Sequence, residues 1–179
     1  MSVQALRTAR LVLDTPRETD IPAVLEACAD PELLRWIPLP EPYTLENAEF
    51  FVRSYAPHGL AGGRFTVWAI RESETGPLIG AAEVRRDEAA GAASLGCWLT
   101  PAARRRGVMT EALTAVCAYA LDPDGLGFER LRWEYLPGNE ASRRLAEAVG
   151  FDFTGAEPHT VDFRGEQRQA LTGELRRDG

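Results

Sequence analysis

Apolar positions near the start of the chain follow one short strand-like run and then settle into helical spacing. Leu11-Val12-Leu13 reads as a strand, and Asp20 ahead of Ile21-Pro22 reads as an N-cap with proline in the first helical turn. Val24, Leu25 and Cys28 keep the helical period until Asp30-Pro31 restarts a second short helix through Leu33, Leu34 and Ile37. The prolines between Pro38 and Pro42 impose a loop, because they forbid continued helix. Thr44 caps a third helix in which Ala48, Phe51, Val52 and Tyr55 fall at i, i+3, i+4 and i+7, and Gly59, Gly62 and Gly63 predict a loop after it.

The period then changes to two. Phe65 to Ile70 alternates as a strand, and Leu78 to Val84 follows a Glu74-Thr75-Gly76-Pro77 turn as its hairpin partner. Ala92 to Leu99 is the next strand, with Gly96 inside it marking a bulge or a close backbone approach. Met109 to Leu121 is the clearest helix, striped by Leu113, Val116, Cys117, Ala120 and Leu121. Arg130 to Leu136 is a strand, Glu140 to Val149 a helix stopped by Gly150, and the tail from Phe151 a final hairpin. The order is roughly β-α-α-β-β-β-α-β-α-β-β: one mixed α/β domain over residues 1–179, with no linker.

Composition narrows what such a domain does. The net charge of −7 disfavours nucleic acid and anionic membrane as partners, so an anionic ligand needs a local device rather than the global field. Residues Met1 to Arg10 lack the pattern of a secretory signal, and no apolar run of about 18 residues predicts a span. Cys28, Cys97 and Cys117 are widely spaced in apolar stretches, which predicts free thiols and a reducing, cytoplasmic setting. No Cys-x-x-Cys or paired histidine spacing occurs, so no metal site is expected.

The local device is a short basic loop. After the strand ending Cys97-Trp98-Leu99, the chain runs Arg104-Arg105-Arg106-Gly107 into the helix that begins Val108-Met109-Thr110. A first helical turn offers free N–H groups and partial positive charge to phosphate oxygens, and Gly107 lets backbone approach a pyrophosphate. By itself the loop is equally a solvated turn.

Three segments carry a resemblance. Arg104-x-x-Gly107-x-Met109 resembles the acetyl-CoA signature Gln/Arg-x-x-Gly-x-Gly/Ala of the GNAT superfamily of N-acetyltransferases, with Met109 replacing the small residue. Asn139-Glu140-Ala141-Ser142, followed by Gly150-Phe151, resembles the family's Asn-x-x-Ser helix. Leu6 to Leu13, Asp30-Pro31 and Pro42-Tyr43-Thr44 are similar to the RimJ/RimL branch, which acetylates ribosomal-protein N-termini. The resemblance implies a mostly antiparallel sheet splayed between the fourth and fifth strands. Main-chain bonds from Cys97, Trp98 and Leu99 would meet pantetheine there, Arg104 to Thr110 would hold the pyrophosphate, and Asn139 would bond the pantetheine amide. It implies acetyl-CoA as co-substrate and direct transfer to a primary amine, either a protein N-terminal α-amine or a small-molecule amine. A homodimer is an open alternative to a monomer.

Such transfer needs a proton acceptor for the amine and a donor for the leaving thiolate. Many family members place a tyrosine seven residues after the asparagine, where this chain has Ala146, and Ser142 becomes the candidate donor. Glu83 is the candidate base, with solvent-relayed water as the alternative; Glu134 is either a solvated strand residue or part of the acceptor site. The resemblance walls the acceptor with Trp36, Pro38, Tyr43 and the final hairpin, although Trp36 and Tyr43 also suit a core. His58 and His159 read as surface residues. The missing tyrosine and Met109 keep a catalytically silent acyl-CoA-binding module as the competing class.

Overall fold

The computed structural model describes residues 2–177. An eight-stranded sheet runs in the spatial order β1-β2-β3-β4-β5-β6-β8-β7. Its strands are β1 (Leu6–Arg7), β2 (Val12–Asp14), β3 (Phe65–Arg71), β4 (Gly80–Arg86), β5 (Ala92–Leu99), β6 (Arg130–Tyr135), β7 (His159–Phe163) and β8 (Glu166–Arg176). All neighbours are antiparallel except β5 and β6, which are parallel and joined through a helical crossover. β1 is an element that sequence patterning does not reveal, because two residues are too few to show a period.

Helices α1 (Ile21–Cys28), α2 (Pro31–Leu34), α3 (Leu45–Phe50) and α4 (Ala56–Ala61) cover one face of β3–β5, and α5 (Val108–Leu121) with α6 (Glu140–Val149) covers the other. The larger core joins Trp68, Ile70, Ala82 and Val84 to the apolar stripe of α5 and to Leu131, Trp133 and Phe151. A smaller core beneath α1–α3 holds Val24, Cys28, Tyr43, Val52 and Ala69.

Two expectations for the N-terminal helices are corrected. Asp20 is the N-cap residue of α1, but its side chain makes no cap bond to that helix: Oδ2 accepts from the Arg17 N–H at 2.7 Å, and the carboxylate binds the buried Arg71 guanidinium at 2.7 and 2.5 Å. An arginine buried this deeply needs a charged partner more than a helix needs a cap. Gly59 lies inside α4 rather than in a loop. A Cβ there would sit 2.0 Å from the Phe65 ring, so the glycine admits β3 against the helix. Between α3 and α4, Phe51–Tyr55 forms a π turn, making 45–61 one continuous helix with a wide turn ahead of Pro57.

Candidate active site

The sheet is open at its centre. β5 pairs with β6 only over Ala92–Ser94 and Arg130–Arg132, and the strands then separate. Leu95 to Leu99 therefore has a partner on its β4 side only, and remains partly exposed in the middle of an eight-stranded sheet. Unpaired strand edge of this kind holds N–H and C=O groups ready for an extended ligand.

The open edge leads to the start of α5. Gly107 is the N-cap in the left-handed region (φ 72°), and Arg105 also has positive φ (61°). This turn lifts the basic loop over the helix end, a conformation that glycine adopts without cost. Among the described residues, no protein acceptor meets the N–H groups of Gly107, Val108, Met109 or Thr110. A Cβ at Gly107 would approach only an Arg10 guanidinium nitrogen, at 3.6 Å. The cradle is thus unfilled by protein and ringed by positive charge.

The side chains around it divide. Arg104 bonds the Leu99 carbonyl (3.2 Å) and pairs with Asp30 at 2.5 Å, so it fastens the loop to the start of α2. Arg106 pairs with Glu72 at 2.5 Å and stays half-exposed; Arg105 is exposed and has no carboxylate partner among the described residues. Val108 and Met109 are buried in the larger core, so the methionine side chain does not narrow the cradle. Arg10 is the member that sequence reasoning missed. Its guanidinium donates to the Arg106 carbonyl (3.2 Å) and to Glu111 (2.6 Å). Bonds from Thr8, then Arg10, hold the Glu111 carboxyl below the ordinary carboxylate range.

α6 supplies the far wall. Asn139 caps it, its Oδ1 accepting from the Ser142 N–H at 3.2 Å, which leaves the amide NH₂ without an acceptor among the described residues. The Ser142 hydroxyl accepts from the Trp133 indole N–H at 2.9 Å, and its own proton remains available. Ala146 is fully buried at the position where a tyrosine was expected from the resemblance.

Register places the candidate acids on the opposite face. Glu83 stands across from Gly96, Arg85 from Ser94 and Ala81 from Trp98, and Ser94 pairs with Arg132, two residues before Glu134. Glu83, Gly96, Arg132 and Glu134 therefore share one face, while Cys97, Leu99, Trp133 and Tyr135 share the face toward α5 and α6. Gly96 presents no side chain, and a Cβ there would meet only the Glu83 Cβ, at 3.9 Å. Glu134 is half-exposed and pairs with His159 Nε2 at 2.8 Å, so that histidine is part of the rim rather than an isolated surface residue.

The walls expected for the acceptor converge in part. Arg164, at the tip of the two-residue β7–β8 turn, pairs with Glu41 and donates to the Leu34 carbonyl at 3.0 Å, tying the final hairpin to α2 and the proline loop. Trp36 sits 3.7 Å from where a Gly138 Cβ would be, and its indole donates to Glu32 at 3.1 Å. Tyr43 is different: it is buried in the smaller core beside Cys28, and burial raises the pKa of both groups. Its place in the core fits the alternative that Tyr43 is a core aromatic. Burial likewise pushes the Cys97 thiol up to about 12, a poor nucleophile. Another depression, toward the start of β6, is lined by Arg130, Arg132, Asp152, Glu174 and Arg176 and mixes both signs of charge.

A sequence profile described as the Acetyltransferase (GNAT) domain matches residues 10–152, most of the chain and both walls of the slot. The chain belongs to the GNAT acetyltransferase family. No curated protein sequence matches it significantly. Among solved structures, the fold is similar to RimL, a ribosomal L7/L12 alpha-N-protein acetyltransferase in complex with coenzyme A (18% identity, TM-score 0.81, 97% of this chain and 98% of that one). It is similar also to Mycobacterium smegmatis RimJ in complex with CoA-disulfide (19%, TM-score 0.80, 98% and 87%). The ribosomal-protein-S5-alanine acetyltransferase of Vibrio fischeri matches at 14% identity, TM-score 0.80, with 98% of each chain covered. The expected splayed sheet is present, and the family is an enzyme family, which sets aside the silent binding module. In this GNAT domain, no helix among the described residues is long and apolar enough to cross a membrane.

Proposed function

We propose that this GNAT enzyme binds acetyl-CoA in the slot between β5 and β6 and transfers the acetyl group to a primary amine entering from the Glu83 face. The observation that carries the reading is the open edge Leu95–Leu99 leading directly to the unfilled first turn of α5. Those main-chain groups suit the pantetheine arm, and the N–H groups of Gly107 to Thr110, with Arg105, Arg106 and Arg10 around them, suit the pyrophosphate. The free NH₂ of Asn139 suits a pantetheine carbonyl.

The chemistry follows from the two faces. An acceptor ammonium loses a proton to the Glu83 carboxylate, and the neutral amine attacks the thioester carbonyl carbon. The tetrahedral intermediate collapses as the carbon–sulfur bond breaks, the nitrogen loses its second proton to solvent water, and the thiolate takes one from the Ser142 hydroxyl, which solvent then restores. The indole N–H donated to Ser142 Oγ polarises that hydroxyl toward donation. Base and acid stand on opposite faces of the sheet, so the acceptor of the amine proton and the donor to the thiolate are kept apart. Cys97 takes no part, since direct transfer needs no acyl-enzyme.

The names of RimL and of the ribosomal-protein-S5-alanine acetyltransferase support a protein N-terminal α-amine as acceptor. Such an amine is already neutral to about one part in ten at pH 7, whereas a lysine is not. Three free thiols with raised pKa suit the cytoplasm as its location. The test is thiol release from acetyl-CoA with Ser- and Ala-initiated peptides beside polyamines and lysine derivatives. Faster release with the peptides supports this acceptor class; release with small amines alone reassigns it.

A further inference from the structure

In the sequence Tyr55 is one apolar position of a helix; in the structure its hydroxyl reaches the sheet. The π turn Phe51–Tyr55 widens the helix where it crosses the β4–β5 face. There the Tyr55 ring stacks on Phe51 (centroids 5.9 Å apart) and Phe65 (4.3 Å), and its Oη lies 3.0 Å from both oxygens of Glu83. Arg85 completes the group, its guanidinium 2.7 Å from the Tyr55 oxygen and 2.7 Å from Glu83 Oε1. Among the described residues the neighbouring strand faces add no other charge at the carboxylate: β3 presents Phe65 and Val67, β5 presents Ser94, Gly96 and Trp98, and the charged residues of β6 stand across the slot. The glycine opposite is the gap through which a held carboxylate faces the open edge of β5.

We infer that Tyr55 is a positioning residue for the acetyl transfer: its hydroxyl, braced by the two aromatic rings and by Arg85, fixes the rotamer of Glu83 so that the carboxylate meets the incoming ammonium. A single donor contacting both oxygens orients the carboxylate, while Arg85, more than half exposed, neutralises it without caging it. Burial first, and the Glu83 charge second, raise the Tyr55 pKa, so the phenol stays a donor at neutral pH. π turns concentrate at functional sites because they aim a side chain that a regular helix would turn elsewhere. The inference rests on Glu83 being the base.

The test is a double-mutant cycle, with Tyr55→Phe, Glu83→Gln and the double variant compared with wild type. Thiol release from acetyl-CoA is followed with Ser- and Ala-initiated peptides and a polyamine, and acetyl-CoA affinity by calorimetry. Tyr55→Phe keeps the stacked ring, so the fold persists. The expected result is a fall in kcat of about tenfold, in line with the loss of one hydrogen bond to a charged group, with acetyl-CoA affinity unchanged. In the Glu83→Gln background the same change should have almost no further effect. Equal losses in both backgrounds, or wild-type kcat in Tyr55→Phe, would overturn the positioning role while leaving Glu83 as base. Wild-type kcat in Glu83→Gln, or no release with any amine, would overturn the underlying reading and the inference with it.

Discussion

The two sides of the slot are built from different materials. On the proposed reading, the coenzyme side is built mainly of main-chain groups from one segment, Leu95 to Thr110: a strand edge, a left-handed turn at Gly107 and a helix start. On the same reading, the acceptor side is built of side chains, Trp36, Glu83, Glu134 and Arg164, the last three held by contacts between distant segments. Backbone machinery tolerates change in side chains and is damaged by anything that fills it. Side-chain machinery adapts to new acceptors and depends on the long-range pairs that hold its elements in place.

The largest expected effect falls on that long-range support. Asp20→Ala leaves the Arg71 guanidinium, 1% exposed, without its bidentate partner. The loss should be about 3–5 kcal/mol of stability, as for other broken buried pairs. Chemical denaturation measures it; a loss under about 1 kcal/mol would mean that the Arg71–Asp14 contact alone suffices.

Next is the coenzyme side. Gly107→Glu puts a side chain at a left-handed position and a negative charge beside the pyrophosphate site. Acetyl-CoA affinity should fall at least about 100-fold, since each 1.4 kcal/mol is a tenfold change, with the melting temperature little altered. Unchanged affinity by calorimetry would break the contrast, because the cradle would then not be the site.

Ser142→Ala separates chemistry from packing. Losing one transition-state donor should lower kcat and kcat/KM together by about 100-fold while acetyl-CoA affinity holds. The variant also strands the Trp133 indole N–H, so a stability loss of about 1–3 kcal/mol should accompany it. A rate within threefold of wild type would assign protonation of the thiolate to solvent.

Smallest is Trp36→Ala, which removes a ring between α2 and the β6–α6 loop. KM for the acceptor should rise by roughly tenfold, about 1.4 kcal/mol, as for other truncated contact aromatics. Acetyl-CoA affinity should stay constant. Equal loss of both would show that the two sides are not independent.

This division also explains what could be read from sequence. The strand, basic loop, Gly107 and α5 are adjacent in the chain, so their geometry is encoded locally and was legible together with the splayed sheet. The position of Asn139 and Ser142 at the start of α6 is legible for the same reason. Asp20 sits at the N-cap as the pattern predicts, but that its side chain serves Arg71 is hidden because that partner lies 51 positions away, and Gly59 reads as a loop because nothing local reports the Phe65 ring against it. Arg10 and Tyr55 were missed as site residues since each gains its role only when strands or helices distant in sequence meet. Tyr43 shows the converse: an aromatic beside a family motif that suited either wall or core, and that folding places in the smaller core.

The central claim concerns where the coenzyme lies, and a crystal structure of the acetyl-CoA complex tests it most directly. The account predicts pantetheine between β5 and β6, bonded to main-chain groups of Leu95 to Leu99, with pyrophosphate oxygens on the N–H groups of Gly107 to Thr110. Acetyl-CoA bound elsewhere, as in the depression lined by Arg130, Arg132 and Arg176, would contradict it.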